Sequence, residues 1–160
     1  MKGKVTNISI VNRKARFNYH IQETFEAGIV LQGSEIKSLR DGRGNIIEAY
    51  ATEKNGEIFL LNSYIPEYKS SSFTNHEVRR ARKLLLQKRQ IKKMIGIVAN
   101  KGLTLVPLKL YSNKRGFVKI EIGVGKGKKL YDKREDKKRK DWIREKSRLL
   151  KVTNKKREKK

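Results

Sequence analysis

The strongest constraint on this chain is where its charge lies. Residues 126–160 hold 18 basic and 6 acidic side chains, and their larger apolar residues are only Leu130, Tyr131, Trp142, Ile143, Leu149, Leu150 and Val152. Such a segment cannot bury enough apolar surface to offset the entropy lost on ordering. Any core therefore belongs to residues 1–125, which hold 23 basic and 10 acidic side chains. The expected organisation is a folded body, 1–125, and a basic C-terminal tail, 126–160. Taken together the chain is +25. Self-repulsion of that size strains a compact fold, and a polyanion relieves it. Nucleic acid is the first candidate and an anionic membrane surface the weaker one. Cysteine is absent, which excludes a disulfide scaffold and thiolate zinc sites. No apolar run approaches the ~20 residues that span a bilayer. Met1 to Val11 lacks the apolar stretch of a signal peptide, so a cytoplasmic location is expected.

The body reads as strands with helices inserted. Phe17, Tyr19 and Ile21 alternate, then Phe25, Ala27 and Ile29, which predicts a strand or a bent strand pair over Arg16–Val30. A short helix over Glu35–Arg40 is expected, capped by Ser34 and ended near Asp41-Gly42. Asn55-Gly56 between two apolar runs signals a hairpin. Thr74-Asn75-His76-Glu77 has the form of a capping box and predicts a helical region from Glu77 to about Asn100, broken once near Gln87 or Gly96. Leu103–Tyr111 and Phe117–Val124 are two more strands. Pro107 lacks an amide hydrogen, so its strand lies at an edge or carries a bulge. Five or six antiparallel strands with few helices fit a small closed or partly open barrel.

The tail has no Gly or Pro after Gly127 and good helix propensity. Glu135/Arg139 and Asp136/Lys140 are favourable i,i+4 pairs. Trp142/Leu149 and Ile143/Leu150 repeat at seven and share one narrow face. The tail is expected to be disordered when free and helical on a partner. It could serve only as a solvated extension, but aromatic residues interleaved with Lys and Arg also suit RNA.

Other features divide the same way. Leu84-Leu85-Leu86 on a helix would span roughly 200° and could not all enter one core. At least one lies at a core edge or offers an apolar contact to an unstacked base. Glu26 is either a surface acid or an acceptor for guanine amino groups or a ribose hydroxyl. Gly123–Lys129 lacks the Ser or Thr of a phosphate-binding loop and suits a basic hinge. His20, His76 and Ser70-Ser71-Ser72 suggest neither a metal site nor a nucleophilic triad. No enzyme, metal or cofactor is expected.

Longer stretches carry a resemblance. They are Asn12-Arg13-Lys14-Ala15-Arg16, Phe25-Glu26-Ala27-Gly28, and Leu31 through Arg40. Arg82-Lys83-Leu84-Leu85-Leu86, Gly102 through Leu108, Gly123 through Lys129, and Asp132-Lys133-Arg134 follow. In order and spacing over roughly residues 12–150 the chain resembles the small protein B (SmpB) family, bacterial partners of transfer-messenger RNA. The resemblance implies a mainly β fold: an oligonucleotide-binding-like (OB-like) antiparallel barrel with about three packed helices. It implies binding to the tRNA-like domain of that RNA and delivery to ribosomes stalled without a usable stop codon. The tail would enter the decoding centre and the empty mRNA channel as a helix, against small-subunit rRNA. The same likeness marks Glu26, Leu85 and Lys119 as RNA contacts, with Asn12 and Lys126 as secondary candidates, and the basic run adds Lys128 and Lys129 as further RNA-binding residues. In the tail it marks Tyr131, Asp132, Lys133, Arg134, Leu149 and Leu150 as ribosome contacts, and Trp142 shares their apolar face. A monomer without membrane attachment is expected. The alternative is a structural ribosomal protein or another basic RNA-binding protein.

Overall fold

In the computed structural model, which describes residues 7–69 and 75–157, the alternating run forms an 11-residue strand, β2 (Tyr19–Ile29). Phe25, Ala27 and Ile29 enter the core while Glu26 points out. Before it come β1 (Ser9–Val11) and a one-turn helix α1 (Ala15–Asn18), neither of which the sequence pattern signals. Helix α2 (Gly33–Arg40) follows. Strands β3 (Tyr50–Lys54) and β4 (Glu57–Leu61) form the expected hairpin. Asn55 and Gly56 both take positive φ, 56° and 75°, which matches the right-handed strand twist. Strand β5 (Arg82–Leu85), helix α3 (Lys88–Lys101) and strands β6 (Thr104–Ser112) and β7 (Val118–Gly127) complete the body.

The strands close into a ring. The order is β6-β3-β4-β5-β2-β7, with β7 pairing back onto β6, and β1 adds to the rest of β6. Every pairing is antiparallel. Closure covers the long edges that an open sheet would expose and leaves the three-residue β1 at the margin. Ile58, Leu60, Leu84, Ile120, Ile122 and Met94 fill the interior. The register slips between Pro107 and Lys109, so the missing amide hydrogen of Pro107 sits at a bulge, as its position in the sequence predicts. The chain divides into two units, Met1–Gly127 and Lys128–Lys160.

Several expectations need correction. The helical region 77–100 begins only at Lys88; residues 82–85 are a strand. In it Arg82 and Leu84 face inward while Lys83 and Leu85 face outward, a period of two. Strand β5 supplies the ladder that β2 and β4 both need, and that demand overrides local helix preference. Thr74, the proposed cap, and Ser70-Ser71-Ser72 lie outside the described residues. A capping box exists instead at Gln87 and Gln90. Helix α2 is likewise capped by Gln32 with Glu35, not by Ser34. The Ser34 hydroxyl lies 2.9 Å from Nδ1 of His76, whose Nε2 lies 3.0 Å from the Ile65 carbonyl.

The glycines at 123 and 125 are no hinge. Both are buried inside β7. A Cβ on Gly125 would come within 2.8 Å of the His20 carbonyl oxygen, and one on Gly123 within 3.0 Å of Leu108 Cδ1. Glycine is used there because two strands approach closely.

The second unit is one helix, α4 (Leu130–Arg157). The tail, expected to lack structure without a partner, is a continuous helix in this structure. Its freedom from Gly and Pro and its local ion pairs favour that form. Asp136 lies 3.7 Å from Arg139 and 2.5 Å from Lys128. Leu130, Tyr131, Trp142, Ile143, Leu149 and Leu150 are all more than half exposed.

Candidate nucleic-acid interface

Register brings the site together. One row across four strands reads Leu85, Gly28, Lys119, Tyr111, from β5 through β2 and β7 to β6. The adjacent row reads Glu26, Glu121, Lys109. Because cross-strand neighbours share a face, these side chains form one outer patch. Gly28 lets the row close up: a Cβ there would meet Leu85 Cβ at 3.2 Å. Leu85 is 55% exposed. The sequence expectation that one leucine stands outside the core holds, though a strand rather than a helix puts it there.

Glu26 lies at the centre. The Tyr111 hydroxyl donates to its Oε2, and Lys119 Nζ lies 3.2 Å from Oε1. Those two donors, Tyr111 first, hold the carboxyl below its ordinary value. The bond to Glu26 pushes the Tyr111 phenol up to about 12. Lys109 Nζ sits 5.2 Å from the centre of the Tyr111 ring. Glu26 thus stays an ionised acceptor with spare lone pairs, amid cations. Beside it an open groove of about 640 Å³ runs past Leu85, Lys83, Lys88 and Lys119.

The other sequence candidates fare differently. Asn12 is buried, and its side chain is used up within the protein. Its Nδ2 donates to the carbonyls of Pro107 and Ile46, at 3.0 and 3.3 Å, and its Oδ1 accepts from the amides of Ala15 and Lys14. These four bonds fix the β1–α1 corner, so Asn12 serves the fold beneath the interface. Lys126 is exposed at the end of β7 opposite His20. Lys129 is exposed, while the Lys128 ammonium meets Asp136. In the tail, Asp132 Oδ2 accepts from the Lys129 amide, and Lys133 and Arg134 share that first turn. The Tyr131 phenol is raised by its hydrogen bond to Glu135. Lys146 Nζ lies 5.1 Å from the Trp142 ring centre, one turn on.

Sequence reasoning missed the frame beneath the patch. Glu35 and Arg82 are wholly buried and bond at 2.8 Å. Arg80 Nε reaches the same carboxylate at 2.9 Å, and Arg82 also donates to Ser63 and to the Val78 and Arg80 carbonyls. Burial pushes the Glu35 carboxyl up, but bonds from Arg80, the Gln32 amide and Arg82 outweigh it, and the net shift is downward. Burial likewise lowers Arg82, against the pull of Glu35. This cluster fastens β5 to α2, so it holds the strand that presents Leu85. Its sequence signal was the closely spaced pair Arg80 and Arg82.

No group of three or more His, Asp or Glu that could hold a metal occurs among the described residues. No helix among them is long and apolar enough to cross a membrane.

A closed basic barrel with an acid, a leucine and a lysine on one face, followed by a charged helix, defines an OB-like nucleic-acid-binding protein. The family is more particular: a model described as SmpB protein matches residues 9–152, and the chain belongs to that family. The SsrA-binding protein of Rhizobium meliloti (strain 1021) is 56% identical over 147 residues, covering 92% of each chain. That of Sinorhizobium fredii (strain NBRC 101917 / NGR234) is 59% identical over 140 residues, covering 88% of each. A chain from the solved structure "tmRNA-SmpB: a journey to the center of the bacterial ribosome" is 47% identical with a TM-score of 0.65, over 77% of this chain and 86% of that one.

Proposed function

We propose that this chain binds the tRNA-like domain of transfer-messenger RNA and delivers it to stalled ribosomes for trans-translation. The observation that carries the reading is the convergence of Glu26, Leu85 and Lys119 on one outer face. Membership of a family whose relatives are SsrA-binding proteins supports it. The body is the RNA-binding part. Leu85 offers an apolar surface to an unstacked loop base and Glu26 accepts from a base or ribose donor, because A-form grooves give little else to read. Lys119 holds a phosphate, and Lys126, Lys128 and Lys129 add charge along the same RNA. The tail is the ribosomal part. Tyr131, Asp132, Lys133 and Arg134 meet the decoding centre, and Trp142, Leu149 and Leu150 seat the helix in the empty mRNA channel. The helix becomes lasting only there. The protein acts without catalysis or cofactor, as a cytoplasmic monomer.

The test separates the two parts. Removing residues 130–160 should leave binding to the tRNA-like RNA largely intact and abolish release of stalled ribosomes. Loss of RNA affinity on truncation would refute the division. Pull-down from cells should yield one dominant transfer-messenger RNA. Equal binding to arbitrary polyanions, or stoichiometric sedimentation with every small subunit, would refute the assignment.

A further inference from the structure

A second groove lies across the Leu85–Lys119 ridge from the first. It measures about 520 Å³, within the roughly 300–1,000 Å³ of small-ligand sites. Val30, Leu85 and Phe117 give it an apolar lining, and Phe117 is 65% exposed. The charged residues on its lining are Arg40 and Lys119, both cations, the second of them paired with Glu26. The first groove, by contrast, mixes Glu26 and Glu57 with its lysines.

Phe117 is exposed but not loosely placed. It ends the β6–β7 turn, and Asn113 fixes that turn. The Asn113 side-chain oxygen accepts from the Phe117 amide at 2.9 Å and from the Arg115 amide at 3.0 Å. The Asn113 amide donates to the Phe117 carbonyl at 2.9 Å, and Gly116 takes φ 83° to complete the bend. Lys114 and Arg115 are exposed on the same turn. An exposed aromatic ring on a hydrogen-bonded turn, in a groove whose charged residues are cations, does little for the core. It suits a flat, electron-rich partner tied to negative charge.

We infer that Phe117 is the stacking platform of a second nucleobase site, in which an unstacked base of the bound RNA lies on Phe117 and Leu85 while Arg40 and Lys119 face its phosphates. The inference rests on the RNA-binding reading above and extends the contact surface to the β6–β7 turn. A basic protein segment would be repelled by the same lining. An acidic peptide would satisfy the cations but leave the flat ring without a stacking partner.

The experiment measures affinity for the tRNA-like domain RNA with Phe117→Ala, Phe117→Trp, Leu85→Ala and Lys119→Ala. Phe117→Ala should weaken binding about tenfold with no change in salt slope, since stacking neutralises no phosphate. Phe117→Trp should bind like the parent. Thermal melting of Phe117→Ala should be close to the parent's, because the side chain is exposed. Parent-like binding by Phe117→Ala, while Leu85→Ala and Lys119→Ala weaken it, would overturn the platform alone. Parent-like binding by all three would overturn the RNA-binding reading with it. With p-benzoylphenylalanine in place of Phe117, light should attach the protein to a loop nucleotide. Attachment only to a ribosomal protein would overturn the inference.

Discussion

Tyr111, and after it Lys119, lowers the Glu26 carboxyl, and no residue of the set reveals this alone. Tyr111 and Glu26 are 85 positions apart and meet only because β2 and β6 flank β7. Tyr111→Phe removes the donor that does most to lower the Glu26 carboxyl. The variant's Glu26 should then protonate at a higher pH than the parent's. With Glu26 as an RNA acceptor, affinity measured from pH 7 downward should begin to fall earlier in the variant. Identical pH profiles would mean that the bond to Tyr111 does not govern the acid. Lys119→Ala should weaken binding and lower the magnitude of the salt slope by roughly 0.7–0.9, one phosphate contact. The reduction tests the contact directly, because Lys119 must exchange Glu26 for phosphate to make it. Glu26, Leu85 and Lys119 could be named from local residues and family likeness. Tyr111 could not, since only register brings it beside them.

Strand β5 shows where local signals end. Arg79 through Leu86 is rich in good helix formers, and nothing nearby contradicts a helix. The contradiction is distant: β2 and β4 leave a gap that only an extended segment closes. Glu35 then neutralises the arginine that the strand turns inward. Replacing Glu35 with Gln leaves Arg82 buried and unmatched, and should cost about 3–5 kcal/mol at neutral pH. The folded carboxyl titrates below its unfolded value. Its stabilisation is therefore full above the unfolded value and disappears as pH falls through the folded one. Denaturant melts should show the parent–variant gap narrowing on acidification. A constant gap would assign the loss to packing rather than to charge. Alternation in β2, the Asn55-Gly56 turn and the Pro107 bulge were legible because each depends on one to a few adjacent residues. The Gly123–Gly125 repeat was misread because its partner surface, His20 and Ile21, is remote in sequence.

On the scale of the whole chain, the two units follow different physics. The barrel buries its apolar surface in a closed ring. Helix α4 leaves its own outside, from Leu130 to Leu150. Helices without a packed face are marginal in water. Amide exchange on the free protein should be fast along 130–157 and slow through β2, β6 and β7, with protection of the helix appearing on the ribosome. Strong protection of the tail in the free chain would contradict this. Changing Leu149 and Leu150 together to Asp should block rescue of stalled ribosomes while sparing RNA affinity.

Charge distribution, helix propensity and strand alternation are properties of neighbouring residues, and they alone indicated a basic strand-rich body followed by a charged extension poor in apolar residues. Ring closure brings residues from distant parts of the chain into register. That closure decided that residues 82–85 are a strand, that Asn12 is spent inside the fold, and that Glu26 meets Tyr111. Each depends on what the far side of the barrel presents, which no window of sequence contains.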